Sequence, residues 1–269
     1  MESIWLRPER SARGPVPEHS RAEIARAAMT LADQGGLAAV TMRSVAAAIG
    51  TGPASLYRYV GTRDEILELM ADEAAGEYRF SPSVPPEPQQ PQKPQQPHPG
   101  DPLSGLLQLA RQARRIYQRH PWLIDLPAVG VLPGPNAIAY TEQVLAVLDT
   151  TGLDHSARLE TVGIFTGLVR LLARTEADQQ RAGQQLADWQ GALAGYLIAA
   201  VADGRYPHLA AALSGQGGGQ ATGAAAPGPA AGPAGRPPGP AGPDDPFDRT
   251  LTRILAGLLA PPGSQPPDQ

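Results

Sequence analysis

Between Ser20 and Arg79 the chain alternates helix starts with helix stops so closely that only short, tightly turned helices fit. Ser20-Arg21-Ala22-Glu23 has the S-x-x-E form in which hydroxyl and carboxylate reciprocally satisfy free backbone donors, so a helix begins there. Ile24, Ala27, Ala28 and Leu31 follow on one face of a 3.6-residue period, and Gly35-Gly36 stops the helix near Gln34. Thr41 is suited to cap a second helix that turns Val45, Ala46 and Ile49 inward, and Gly50 to close it in the left-handed conformation. Pro53 fits the first turn of a third helix because its missing N–H has no intrahelical partner there. That helix is expected to run about two turns, displaying Ser55, Arg58 and Tyr59 and sending Leu56 and Val60 to the core. Thr62-Arg63-Asp64-Glu65 reads as a second capping box, opening a longer helix with Ile66, Leu67, Leu69 and Met70. Two short helices around a glycine turn make a helix-turn-helix at about 41–60.

Charge follows the same division. The chain has a formal net charge of -4, so it lacks the bulk basicity of a nonspecific nucleic-acid binder. Residues 1–63 nevertheless carry eight arginines against five acids, and residues 64–79 reverse the sign with six acids against Arg79. Arg7, Arg10 and Arg13 lie in a stretch broken by Gly14, Pro15 and Pro17, which predicts a flexible basic arm over 1–19 able to reach a minor groove.

Elsewhere composition mostly excludes. With no cysteine there is no disulfide, thiol switch or thiolate metal site. The five histidines are scattered without metal-ligand spacing, and neither a nucleophile elbow nor a phosphate-cradling loop occurs, so the expectation is a non-enzyme without metal or cofactor. Lacking a signal-peptide pattern or an apolar run of membrane-spanning length, it is expected to be cytoplasmic, with no membrane partner.

Residues 81–100 hold eight prolines and five glutamines and predict an extended, disordered linker; 214–243, nearly all Gly, Ala, Pro and Gln, predict a disordered loop, and 261–269 a disordered tail. Helical periodicity recurs at 103–119, 135–150, 154–174, 186–203 and 246–260, with no alternating strand pattern, so the fold class is all-α.

Thr41-Met42-Arg43, Ile49-Gly50, Leu56-Tyr57-Arg58-Tyr59-Val60 and Asp64-Glu65-Ile66-Leu67 occur in the order of the N-terminal domain of TetR family regulators, which residues 20–80 resemble. Residues 101–260 resemble, less closely, the family's C-terminal ligand-binding and dimerisation domain, with His120-Pro121-Trp122-Leu123 and Leu132-Pro133-Gly134-Pro135-Asn136 as the matching pieces. The Pro/Gln-rich linker departs from the family pattern.

The resemblance implies a dimeric, sequence-specific repressor that a small-molecule effector releases from a palindromic double-stranded operator. Thr41, Arg43, Pro53, Ala54, Ser55, Tyr57, Arg58 and Tyr59 would then face DNA, with Arg63 on backbone phosphate. Bundle logic puts an effector pocket at Tyr117, Trp122, Leu126, Tyr140, Phe165 and Trp189. The homodimer would use Leu159, Val162, Phe165, Val169 and Leu172, with Gly163 and Gly167 permitting close approach, together with Phe247, Leu251, Ile254, Leu255 and Leu258. For all these apolar positions, ordinary packing within one subunit is the competing reading. A helical interaction scaffold whose Pro-rich segment docks partner domains, without specific DNA binding, is the alternative function.

Overall fold

The computed structural model describes residues 3–8, 18–80, 101–127, 132–202, 204–216 and 245–259. Every regular element among them is helical: α1 (Arg21–Gly35), α2 (Met42–Ala48), α3 (Pro53–Leu56), α4 (Arg63–Ala75), α5 (Pro102–Arg119), α6 (Pro135–Leu148), α7 (His155–Val201), α8 (Pro207–Gln216) and α9 (Pro246–Leu258), with 3-10 turns at Leu37–Ala39 and Pro121–Asp125. The linker at 81–100, most of the 214–243 loop and the 261–269 tail lie outside the described residues, as do Arg10 and Arg13.

The caps stand where the sequence puts them, with altered partners. Ser20 and Thr62 accept from the Glu23 and Glu65 amides at 3.1 and 3.2 Å, but the two glutamates turn elsewhere, Glu23 to His19 and Glu65 to the Gly61 N–H. The reciprocal box belongs to Thr41 and Ser44 instead. Gly36 and Gly50 have φ of 66° and 75°, the left-handed region where a side chain would be strained. α3 is a single turn rather than two, continued by the turn that carries Tyr57 to Tyr59.

The chain divides into two compact units, Met1–Ala177 with Pro243–Gln269, and Asp178–Gly242. The helix-turn-helix and the helices α5 and α6 share the first unit. Helices expected at 154–174 and 186–203 form one element, α7, interrupted at Gly183, whose φ of 46° and ψ of -123° are not helical. In the second unit α8 takes up residues to Gln216, so residues 214–216 of the expected loop are helical.

Two apolar clusters fill the first unit. One joins Ile24, Ala28, Val45, Leu56, Val60, Ile66 and Met70 with Ile4, Trp122 and Leu126. The other joins Leu106, Ala110, Tyr140, Val144, Phe165, Val169, Phe247, Leu251 and Leu255. Ile4 is 1% exposed, so residues 3–8 are docked and the expected free arm is corrected there.

Polar contacts knit the helix-turn-helix to the segments that follow it in the first unit. Both ring nitrogens of the buried His120 face carboxylates, Nδ1 at 2.8 Å from Asp33 and Nε2 at 2.9 Å from Glu77, and the Trp122 indole N–H donates to Asp33 at 2.7 Å. Asp72 of α4 caps α6, accepting from the Ala137 amide at 2.9 Å and the Asn136 side chain at 3.1 Å. Burial pushes the Asp72 carboxyl above the usual carboxylate range against the opposing pull of these donors. Asp72→Ala, which leaves the Ala137 N–H without its partner, is expected to cost about 1–3 kcal/mol in denaturant unfolding, and Asp72→Asn, which keeps an acceptor oxygen, less.

Candidate nucleic-acid interface

α2 and α3 present one open surface. Leu56 and Val60 are fully buried, and Val45 and Ala46 fix α2 from beneath. This packing turns Thr41, Arg43, Pro53, Ala54, Tyr57 and Arg58 to solvent, Tyr57 with 56% of its surface exposed. Ser55 and Tyr59 are half-buried, and Tyr59 packs edge-on to His19 with ring centroids 6.0 Å apart. Tyr59 is therefore anchored to the core side of the turn rather than turned fully outward.

Neither the Arg43 nor the Arg58 side chain has a hydrogen bond or ion pair among the described residues, so both guanidinium groups keep their donors for an outside acceptor. Arg63 differs. Its Nε donates to the Val40 carbonyl at 2.8 Å and its Nη2 to the Leu37 carbonyl at 2.7 Å, stapling the start of α4 to the turn between α1 and α2. Two of the five N–H donors of this guanidinium are thus spent inside the chain.

The expected effector pocket does not assemble as one set. Trp122 and Leu126 belong to the cluster under the helix-turn-helix, with the Leu126 carbonyl held by Arg170. Trp189 lies in the second unit and is 59% exposed. Tyr117, Tyr140 and Phe165 do come together in the other cluster, joined by Tyr78, whose ring lies 4.4 Å from that of Tyr140. Burial pushes the Tyr78, Tyr117 and Tyr140 hydroxyls upward, so all three stay neutral donors at physiological pH. A surface groove of about 490 Å³ between α6 and the start of α7, lined by Glu142, Asp149, His155 and Arg158 among others, contains none of the expected pocket residues.

The expected dimer residues separate by exposure. Phe165, Val169, Phe247, Leu251 and Leu255 are buried in the chain's own core, so these five are corrected from contact surface to core. Val162, Leu172 and Leu258 are half-buried, while Leu159 and Ile254 are exposed. α9 does not need a partner to cover its stripe, because α5 covers it: Arg111 pairs with Asp248 at 2.8 Å and Arg114 with Asp245 at 2.7 Å, and the Arg114 guanidinium lies 4.8 Å from the Phe247 ring centre. On the first part of α7 an outward arc remains, with Leu159, Gly163, Ile164, Gly167 and Leu171.

Sequence reasoning missed Asp33, Asp72 and Glu77 as junction residues. Their signal is not local: each is an ordinary surface-type acid until His120, Trp122 and Asn136 arrive from far along the chain. Among the described residues no group of three or more His, Asp or Glu side chains is placed to hold a metal, and no helix is long and apolar enough to cross a membrane.

Comparison with known proteins follows the same two parts. Residues 24–70 match the model for bacterial regulatory proteins of the tetR family, and residues 94–225 match the tetracyclin repressor-like C-terminal domain. The HTH-type transcriptional repressor DrrR1 of Streptomyces coeruleorubidus is 32% identical over 214 residues, 78% of this chain and 74% of its own. An HTH-type transcriptional regulator of Saccharopolyspora erythraea is 29% identical over 216 residues, covering 80% of this chain and 84% of its own. Among solved structures, ActR of Streptomyces coelicolor in complex with actinorhodin superposes with a TM-score of 0.64 at 25% identity, covering 93% of this chain and 99% of that one. With both halves matched in order and a relative of that identity spanning most of each sequence, the chain belongs to the TetR family of DNA-binding transcriptional regulators.

Proposed function

We propose that the protein is a homodimeric repressor that holds a palindromic operator through α2 and α3 and leaves it when a small-molecule effector binds the regulatory region. The observation that carries the DNA half is the outward row of Arg43, Pro53, Ala54, Tyr57 and Arg58 on a rigidly packed head, with both arginines unpartnered among the described residues. Arg58 has the chemistry to grip a guanine edge bidentately, Pro53 and Ala54 to pack on a thymine methyl, and Tyr57 and Arg43 to bind phosphate. Ser55 and Tyr59, half-buried, support the surface from its rim.

The effector half rests on the relatives. DrrR1 is a repressor, and ActR has been solved with actinorhodin bound. In this chain the corresponding contacts are assigned to the cluster of Tyr78, Tyr117, Tyr140 and Phe165, where neutral hydroxyls sit in apolar surroundings suited to orienting a largely apolar ligand. Two copies meet through the outward arc of α7.

Selection of bound sequences from a random duplex pool tests the reading directly. Enrichment of a two-fold symmetric motif is the expected result, since a two-fold dimer presents two identical heads. Recovery of duplexes without any shared sequence would sink it and favour the scaffold alternative.

A further inference from the structure

Residues 3–8 make contacts that neither a frayed terminus nor a DNA-reaching arm would make. Ile4 is buried among the apolar residues of the helix-turn-helix, and Arg21 of α1 donates to the Ile4 and Arg7 carbonyls at 2.8 and 3.0 Å. From that anchor the Trp5 indole N–H reaches the Leu132 carbonyl, 3.3 Å away, just ahead of α6. The fit is close: a Cβ built on Gly134 would lie 2.5 Å from the Trp5 ring and 2.4 Å from the Asp72 carboxyl carbon. α4 grips the same stretch, since Asp72 caps α6. Arg7 meanwhile pairs with Glu65 of α4.

This joint is also where the structure is least satisfied. With Arg7 Nη2 held by Glu65, Arg7 Nε and Glu68 Oε2 are the buried side-chain polar atoms among the described residues left without a partner. Such groups cost free energy, so a joint that contains two of them opens more cheaply than one closed by satisfied bonds.

We infer that residues 3–8 form a detachable strap in which Trp5 is a positioning residue, pinning α4 to the start of α6 and so setting the stance of the DNA-reading helices. The DNA part of this inference rests on the operator-binding reading above. A head held in one stance pays less ordering entropy when two heads must engage two half-sites together. Arg7, spent on Glu65, adds nothing to phosphate binding.

Trp5→Ala, Trp5→Phe and Arg7→Ala in the full chain, compared with wild type, test this. Hydrogen exchange in Trp5→Ala should quicken about tenfold at the amides of Ala137 and of residues 68–72, with residues of α2 and α3 unchanged. Its affinity for the selected operator should fall about tenfold, with base preference and salt slope as in wild type. Trp5→Phe, which keeps the wedge, should recover most of both losses. Arg7→Ala cuts the other end of the strap and serves if Trp5→Ala fails to fold; it should quicken the same amides at an unchanged salt slope. Unchanged exchange at the joint would overturn the strap, and a salt slope lowered by about one unit in Arg7→Ala would restore the DNA-reaching arm. If wild type shows no sequence preference on duplex DNA, the operator reading fails by itself and the exchange data still decide the strap.

Discussion

Replacing Gly167 by Leu is expected to split the dimer proposed through α7 while leaving each subunit at least as stable as before. Gly167 lies at the middle of the outward arc of α7, and a Cβ added there meets nothing within 4 Å in the chain. Inside a helix, exchanging Gly for Leu is favourable by about 0.5–1 kcal/mol, so the isolated subunit gains. Across a close helix-helix contact the same side chain holds the backbones apart, with Leu159, Ile164 and Leu171 no longer able to meet their copies. Loss of the second head removes simultaneous engagement of both half-sites, and operator affinity should drop by roughly 10²–10⁴-fold. Phe165→Ala provides the contrast, because Phe165 is fully buried on the opposite side of the helix and its truncation should cost about 3–5 kcal/mol in folding. Light scattering and denaturant unfolding of both variants separate the two faces. A Gly167→Leu protein that remains a dimer and binds operator like wild type would move the interface away from α7.

The head was legible because its signals are local. Ser20, Thr41 and Thr62 stand as caps within a few residues of the amides they bind, and Gly50 takes the left-handed conformation that its place in the turn demands. Apolar spacing likewise marked Ile24, Val45, Leu56, Val60 and Ile66 as inward-facing, as they are. Periodicity says that a helix has a buried face and is silent about what buries it. The α9 stripe of Phe247, Leu251 and Leu255 has the spacing of an intersubunit surface, yet α5 covers it, and the ion pairs that fix this packing join residues more than a hundred positions apart.

The same limit explains the arm and Arg63. Arginines near a terminus broken by Gly and Pro look solvated, and only the location of Ile4 and Trp5 in the folded chain draws Arg7 back onto Glu65. Arg63, at a helix N-terminus beside a DNA-reading turn, has the right position for phosphate, but two carbonyls of the preceding turn lie within its reach. No spacing rule reports where those carbonyls point.

Arg58 and Arg43 should separate base reading from phosphate binding. Both are exposed and unpartnered among the described residues, so their truncation removes little from the fold. If Arg58 grips a guanine edge, Arg58→Ala should cost about 1–3 kcal/mol per half-site on the selected operator and relax preference at one base position, with much smaller loss on scrambled duplex. Arg43→Ala should weaken operator and scrambled duplex alike and lower the salt slope by about one unit per half-site. Arg63→Ala should instead lower thermal stability, since each lost hydrogen bond to the Leu37 and Val40 carbonyls is worth about 1 kcal/mol, and should leave the salt slope nearly unchanged. Titrations of operator and scrambled duplex at several salt concentrations, with unfolding curves for each variant, distinguish the three roles. An Arg58→Ala protein that loses affinity equally on both duplexes would make Arg58 a phosphate contact and shift base reading to Tyr57 and the Pro53-Ala54 edge.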